Sequence, residues 1–324
     1  MSRWVGVLLL LAGTPYFAQS ESRKAIGLTP WGDPDLSGIW DFATLTPLQR
    51  PPGVDVETFT EEQAAEFERE FEQQLNRRLT VHAPRLLDYG ASVNEDRRTS
   101  LIVDPPDGQI PPLTQEAAAI VANPPDGPVT WRMARQDPTA DGPENRGLSA
   151  RCLVGFNSGP PFLPGPYNNN AVILQTPNHV VVYQEMIHES RIIPLDGRPH
   201  LPGQITQWLG DSRGHWQGDT LVVESNNFTD KVTFNGAPPY FPGAGGRSFS
   251  LVERFTRSDT DTLTYEFTVS DPTWWTAPWT AAVPMTATAG PVYEYACHEG
   301  NRGLINVLLA GRAADRRAAD RSRD

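Results

Sequence analysis

The chain has 324 residues, 39% of them apolar and 20% charged, with 31 prolines, two cysteines and a formal net charge of −12. The apolar fraction excludes a disordered protein, the prolines interrupt any long helical bundle, and the acidic balance excludes a general phosphate-binding surface, because nucleic-acid affinity draws on clustered Lys and Arg. The length suits two domains, or one large β-rich domain with an N-terminal extension.

The N-terminus reads as an export signal. Arg3 precedes an apolar run from Trp4 to Ala12, Gly13-Thr14-Pro15 breaks it, and the small Ala18 follows, which is the pattern of a secretory signal peptide over residues 1–18. The run is about half the ~20 residues that a membrane-spanning helix needs, so no membrane span is expected. A secreted or periplasmic location follows. In an oxidising compartment two thiols favour pairing, so a Cys152–Cys297 disulfide is expected, with two buried thiols or a catalytic cysteine beside His298 as the alternatives.

Residues 19–150 read as an arm packed on the body. Pro30, Pro34, Pro47, Pro51 and Pro52 keep 19–58 irregular, apart from a first strand over Leu36 to Phe42. Thr60 and Gln63 form a capping box, and Phe67, Phe71, Leu75 and Leu79 recur every fourth residue, which predicts an amphipathic helix over 61–79. A short strand over Ser100 to Val103 ends at Pro105-Pro106-Asp107-Gly108, Thr114 caps a brief helix through Val121, and 123–147 reads as a surface loop.

The body spans 151–310. β-branched runs at Ala171 to Thr176 and Val180 to Ile187 form a hairpin through Pro177-Asn178. Further strands are expected at 191–194, 205–209 and 220–225, a second hairpin at 249–255 and 263–269, and closing strands at 281–288 and 292–297. A helix can form over Leu304 to Leu309, and 311–324 reads as a disordered tail of Ala, Asp and Arg. The expected fold is therefore mainly β: an antiparallel up-and-down, lipocalin-like barrel or a sandwich, with an N-terminal arm and one or two peripheral helices.

Two resemblances bear on this. Gly38-Ile39-Trp40 resembles the opening signature of lipocalin-like barrels, which implies a tryptophan plugging the closed end. Six segments resemble a set of secreted bacterial β-rich proteins: Pro34 to Trp40, Arg98 to Gly108, Tyr167 to Asn170, Glu185 to Glu189, Gly210 to Thr220 (GDSRGHWQGDT) and Tyr293 to Asn301 (YEYACHEGN). That resemblance implies a shared, stable fold and brings no defined reaction, so the chemistry must come from the residues.

The sequence contains no Gly-x-Ser-x-Gly elbow, P-loop, His-Glu-x-x-His or Cys-x-x-Cys, and no cofactor is expected. Four of the six histidines sit in polar company: His188 near Glu185, Glu189 and Arg191, His200 in a Pro-bounded loop, His215 after Asp211 and Arg213, and His298 before Glu299. A carboxylate beside an imidazole sets its tautomer, which general acid–base catalysis needs. The expected site has His188 as base or acid, Asp211 and Glu189 orienting it, Arg191 or Arg213 meeting developing negative charge, and His298, beside Glu299, as second proton-transfer group. Metal binding by His188, His200 and His298 with Glu189 or Glu299 is a weaker alternative. Trp274, Trp275 and Trp279, with Tyr265 and Phe267, either line a substrate pocket or close the barrel as core. The function these residues predict is acid–base chemistry on a small, largely apolar organic molecule by a lyase, isomerase, cyclase or hydrolase. The rivals are a carrier of hydrophobic metabolites without catalysis and an envelope interaction protein. No nucleic-acid partner is expected, and the sequence sets no oligomeric state.

Overall fold

In the computed structural model the described residues are 27–78, 87–122, 142–143, 146–155, 157–230 and 246–321. The expected leader and most of the 123–147 loop lie outside them. The architecture is mainly β, one ten-stranded antiparallel sheet with three helices. In chain order the elements are β1 (Gly38–Asp41), α1 (Glu61–Arg78), β2 (Ile102–Asp104), α2 (Gln115–Ala122), β3 (Asn170–Thr176), β4 (His179–Gln184), β5 (Ser190–Pro194) and β6 (Asp211–Gln217). Then come β7 (Thr220–Asn226), β8 (Ser250–Arg257), β9 (Thr262–Ser270), β10 (Trp279–Thr288) and α3 (Arg302–Arg321).

The strands hydrogen-bond in the order β5-β4-β3-β1-β10-β9-β8-β7-β6, with β2 paired to β10. β1 therefore lies mid-sheet between β3 and β10, so the N-terminal region supplies a central strand instead of an arm laid on a finished body. The sheet curls until its two end strands lie side by side: a Cβ on Gly214 of β6 would stand 2.7 Å from Leu195 Cδ2 and 2.9 Å from Ile193 Cγ2. No ladder joins β5 to β6, and the sheet is not closed into a barrel. Nine alternating strands leave its two ends running parallel, so the antiparallel pattern cannot continue across the seam. Gly214→Ala should cost about 1–3 kcal/mol, as an overpacked core position does, and denaturant midpoints would measure it.

The concave side is filled. Trp40, Phe162, Phe255, Tyr265, Phe267 and Trp279 are each at most 1% exposed. Phe162 arrives on the 157–169 loop and meets Tyr265 at 5.1 Å and Phe42 at 5.3 Å between ring centroids. Asn169 pins that loop, its amide bonding Gly165 through both backbone groups and donating to Asp88 O. The Trp40 indole donates to Leu36 O at 3.0 Å under the Arg257 guanidinium. The capping box forms as expected, Gln63 N donating to Thr60 Oγ1 and Thr60 N to Gln63 Oε1. Helix α1 then packs Phe67 and Phe71 on a separate small core of Leu45, Phe59, Ala64 and Val93. Thr114 caps α2 through its hydroxyl to Ala117 N.

Four expectations change. Residues 205–209 carry only an isolated bridge, Gln207 to Phe228, and no strand. Asp211–Gln217, for which no strand was expected, forms β6. Residues 292–297 form no strand, because both edges of β10 are already taken by β1 and β9. The Ala/Asp/Arg tail is helical to Arg321: Ala and Arg are strong helix formers, and Asn301 Oδ1 caps the start by accepting from Leu304 N.

Candidate acid–base groove under a disulfide-held strap

Because side chains alternate along a strand, the inward Trp40 puts Ile39 and Asp41 on the outer face of β1. The same alternation puts Val172, Tyr183 and Ser190, which face one another in register across β3, β4 and β5, on that outer side. The segment after β10 crosses this face as a strap. It passes Ile39 at Gly290, and at Cys297 it is tied by a disulfide to Cys152. The expected pairing is thus present. Asn301 Nδ2 adds a bond to Ala150 O. A shallow depression open to solvent, about 330 Å³ in volume, lies along the strap itself at Glu294, Tyr295, Ala296 and Cys297.

The strap is held down by the residues that close β4. Glu185, 2% exposed, accepts from Asn170 Nδ2 at 2.8 Å and from Tyr293 N at 2.9 Å. β4 stops at Gln184, short of the expected Ile187, because a 3₁₀ turn over Met186–His188 follows with Ile187 and His188 at φ of 63° and 49°. A β-branched residue in the left-handed region is an outlier, and such backbone costs about 1–3 kcal/mol per residue. The strain is offset by burial of Ile187, which is 4% exposed, and it aims His188 at the strap. His188 Nδ1 lies 2.7 Å from Tyr295 O. A carbonyl only accepts, so Nδ1 carries a proton and Nε2 is the nitrogen left to face solvent or a ligand. The ring is exposed.

Carboxylates and phenols surround this point. Burial raises the Asp41 carboxyl above its ordinary range, against a hydrogen bond from Ala43 N, and the nearby charges of Asp88 and Glu185 add to the rise. Burial, with Tyr295 and Tyr89 beside it, pushes the Tyr167 phenol up to about 12. Tyr183 is raised by burial and by Glu185 and Glu294. Both phenols are therefore neutral hydrogen-bond donors at physiological pH.

Asp41 carries a stability cost that can be measured. The folded state binds its proton more tightly than the unfolded chain, so its contribution is most favourable below the unfolded pKa of about 4 and declines as pH rises through the folded value. Asp41→Asn should therefore raise the melting temperature at neutral pH by about 1–3 °C, a small gain because solvent screens a half-exposed carboxyl. The gain should disappear below about pH 4, and calorimetry at both pH values checks it.

The remaining candidates fall elsewhere. Asp211, 5% exposed, accepts from His200 Nδ1 at 3.0 Å, Leu201 N at 2.8 Å and Arg213 Nη1 at 2.6 Å. It therefore orients His200, not His188. Among the described residues no hydrogen bond or ion pair joins Asp211 to His188 or His298. Arg191 points into the core, where it forms a bidentate pair with Glu253 and is closed off from any developing charge in the groove. Glu189 gives its backbone carbonyl to Gln184 N. His298 and Glu299 are exposed just beyond the strap's disulfide. Trp274, Trp275, Trp279, Tyr265 and Phe267 are 5% exposed or less, with Trp275 edge-on to Trp279 and Trp279 edge-on to Phe267. They are core instead of pocket lining, since burying indole and phenyl faces against one another outweighs leaving them wet. Among the described residues no group of three or more His, Cys, Asp or Glu is placed to hold a metal, and no helix is long and apolar enough to cross a membrane.

Sequence reasoning overlooked Asp41, Tyr167, Tyr183 and Tyr295 as parts of one site. The signal was available in the three segments Tyr167 to Asn170, Glu185 to Glu189 and Tyr293 to Asn301, which the fold brings together. What emerges is a curled antiparallel sheet whose outer face is crossed by a disulfide-held strap, with His188 and Glu185 bonded to the strap's backbone. No family model, curated protein or solved structure matches the chain.

Proposed function

We propose that the protein is an exported enzyme that transforms a small, largely apolar organic molecule by acid–base chemistry in the groove beneath the strap. The observation that carries this reading is the His188 imidazole, held in a left-handed backbone with Nδ1–H on Tyr295 O and Nε2 left to take a proton. Asp41, raised by burial and by like charges, is the group suited to return one. Tyr183 donates to a substrate oxygen as a neutral phenol, Tyr167 is held against Tyr295, and His298 at the strap's end is a second proton carrier. Glu185 positions the strap and does not itself react. Lyase, isomerase or cyclase, and hydrolase chemistry all need a base and an acid within reach of one small substrate. The disulfide and the signal-like N-terminus support export.

The carrier reading would also have to use this groove, because the concave side is packed with aromatic rings. Turnover separates the two readings. Purified protein is incubated with metabolite extracts and analysed by mass spectrometry, with His188→Asn run in parallel. A product that forms with the native chain and not with the variant supports the enzyme. A ligand retained unchanged by both overturns it.

A further inference from the structure

We propose that His200, Asp211 and Arg213 form a second, separate proton-transfer centre that hydrolyses esters of small acyl groups. It shares no residue with the groove beneath the strap. The Asp211 carboxylate at the start of β6 is buried, and its two oxygens are divided among three partners. Oδ1 accepts from Arg213 Nη1 at 2.6 Å, and Oδ2 accepts from Leu201 N at 2.8 Å and faces His200 Nδ1 at 3.0 Å. A carboxylate is an acceptor only, so the bond fixes the Nδ1–H tautomer of His200 and leaves the Nε2 lone pair for a proton.

The loop bearing His200 is fastened at three further points. Arg213 Nε donates to Pro199 O, Asn227 Nδ2 donates to Leu201 O, and Asp196 and Arg198 pair with each other within the loop. The imidazole thus sits on a rigid support, with its side chain 24% exposed. Arg213 commits Nε and Nη1 to Pro199, Asp211 and Ser212, so its Nη2 is the donor that remains for an oxyanion. Leu201, 37% exposed, offers an apolar surface to an acyl chain. An imidazole oriented by a carboxylate, beside a guanidinium, is the arrangement that general-base hydrolysis requires.

In the reaction, Nε2 removes a proton from water as the water oxygen bonds to the ester carbonyl carbon. The negative charge that develops on the carbonyl oxygen meets Arg213. When the tetrahedral intermediate collapses, the carbon–alkoxy bond breaks and the imidazolium returns its proton to the leaving alkoxide, giving one acid and one alcohol. No oxidant, reductant or metal enters the balance. His200 is the catalytic base, and Asp211 is a positioning residue.

The test uses p-nitrophenyl acetate with the full chain. Saturable hydrolysis is expected, falling about 100-fold in His200→Gln and unchanged in His215→Gln, which removes an exposed imidazole of β7's neighbour strand and controls for unspecific attack. His200→Gly should be restored by added imidazole, which a structural role would not allow. Asp211→Asn should lower kcat by a larger factor than it raises KM, because it removes the acceptor that fixes the His200 tautomer while the Leu201 loop keeps its bond from Asn227. Hydrolysis that does not saturate, equal losses in both Gln variants, or a Gly variant that stays folded by circular dichroism and gains nothing from imidazole would each overturn the proposal.

Discussion

Glu253→Gln is expected to lower the unfolding free energy by about 3–5 kcal/mol, the cost of leaving a buried charge without its partner. Glu253 is fully buried and Arg191 is 8% exposed. Their guanidinium and carboxylate make a bidentate pair on the concave side, and Tyr265 donates its hydroxyl to Glu253 Oε1 at 2.8 Å while accepting from Phe162 N at 3.2 Å. Burial works against the charged guanidinium, and the Glu253 charge with its hydrogen bonds outweighs that, so Arg191 keeps its proton. Burial, and then the Glu253 charge, hold the Tyr265 phenol well above its ordinary range. Removing one member therefore strands the others, whereas Arg191→Met with Glu253→Leu removes both charges and should recover most of the loss. Urea unfolding of the two single variants and the double variant gives the coupling directly. If Glu253→Gln proves as stable as the parent, the pair contributes nothing that the surrounding aromatic packing does not.

The second large effect is chemical. His188→Asn should reduce turnover of the groove's substrate by about 10²–10⁴-fold, the usual contribution of a positioned general acid or base. Asparagine tolerates a positive φ and presents an amide N–H toward Tyr295 O, so the strap stays in place and the melting temperature should change little. His188→Ala removes the strap contact as well and should lower both. Turnover that survived the Asn variant would remove His188 from the chemistry and leave it only the task of fastening the strap.

Both predictions depend on residues whose neighbours come from distant parts of the chain, and this marks the limit of what sequence periodicity conveys. Leu263, Tyr265, Phe267 and Val269 alternate with polar residues, and β9 follows as expected, every second side chain buried. Strand β6 was hidden because Asp211, Arg213 and His215 interrupt the apolar pattern and Gly214 looks like a turn, although it is the glycine that lets β5 approach. Arg191 read as a catalytic cation because His188 and Glu189 lie beside it in sequence. Its partner, Glu253, is 62 residues away. The tryptophan trio was legible as aromatic but not as interior, since an indole cluster has the same spacing on either side of a wall.

Composition and local pattern alone determined the β-rich class, the capped helix α1 and most strands, because each depends on alternation or on turn chemistry, and they favoured the cysteine pairing that the structure shows. Tertiary structure alone decided that β1 enters mid-sheet, that the segment after β10 leaves the sheet as a strap, and that Asp211 takes His200 while His188 is left to the strap. Those outcomes turn on which backbone edges and carboxylate oxygens are still free once the sheet has curled. That is a property of the assembled neighbours, and no stretch of the chain carries it by itself.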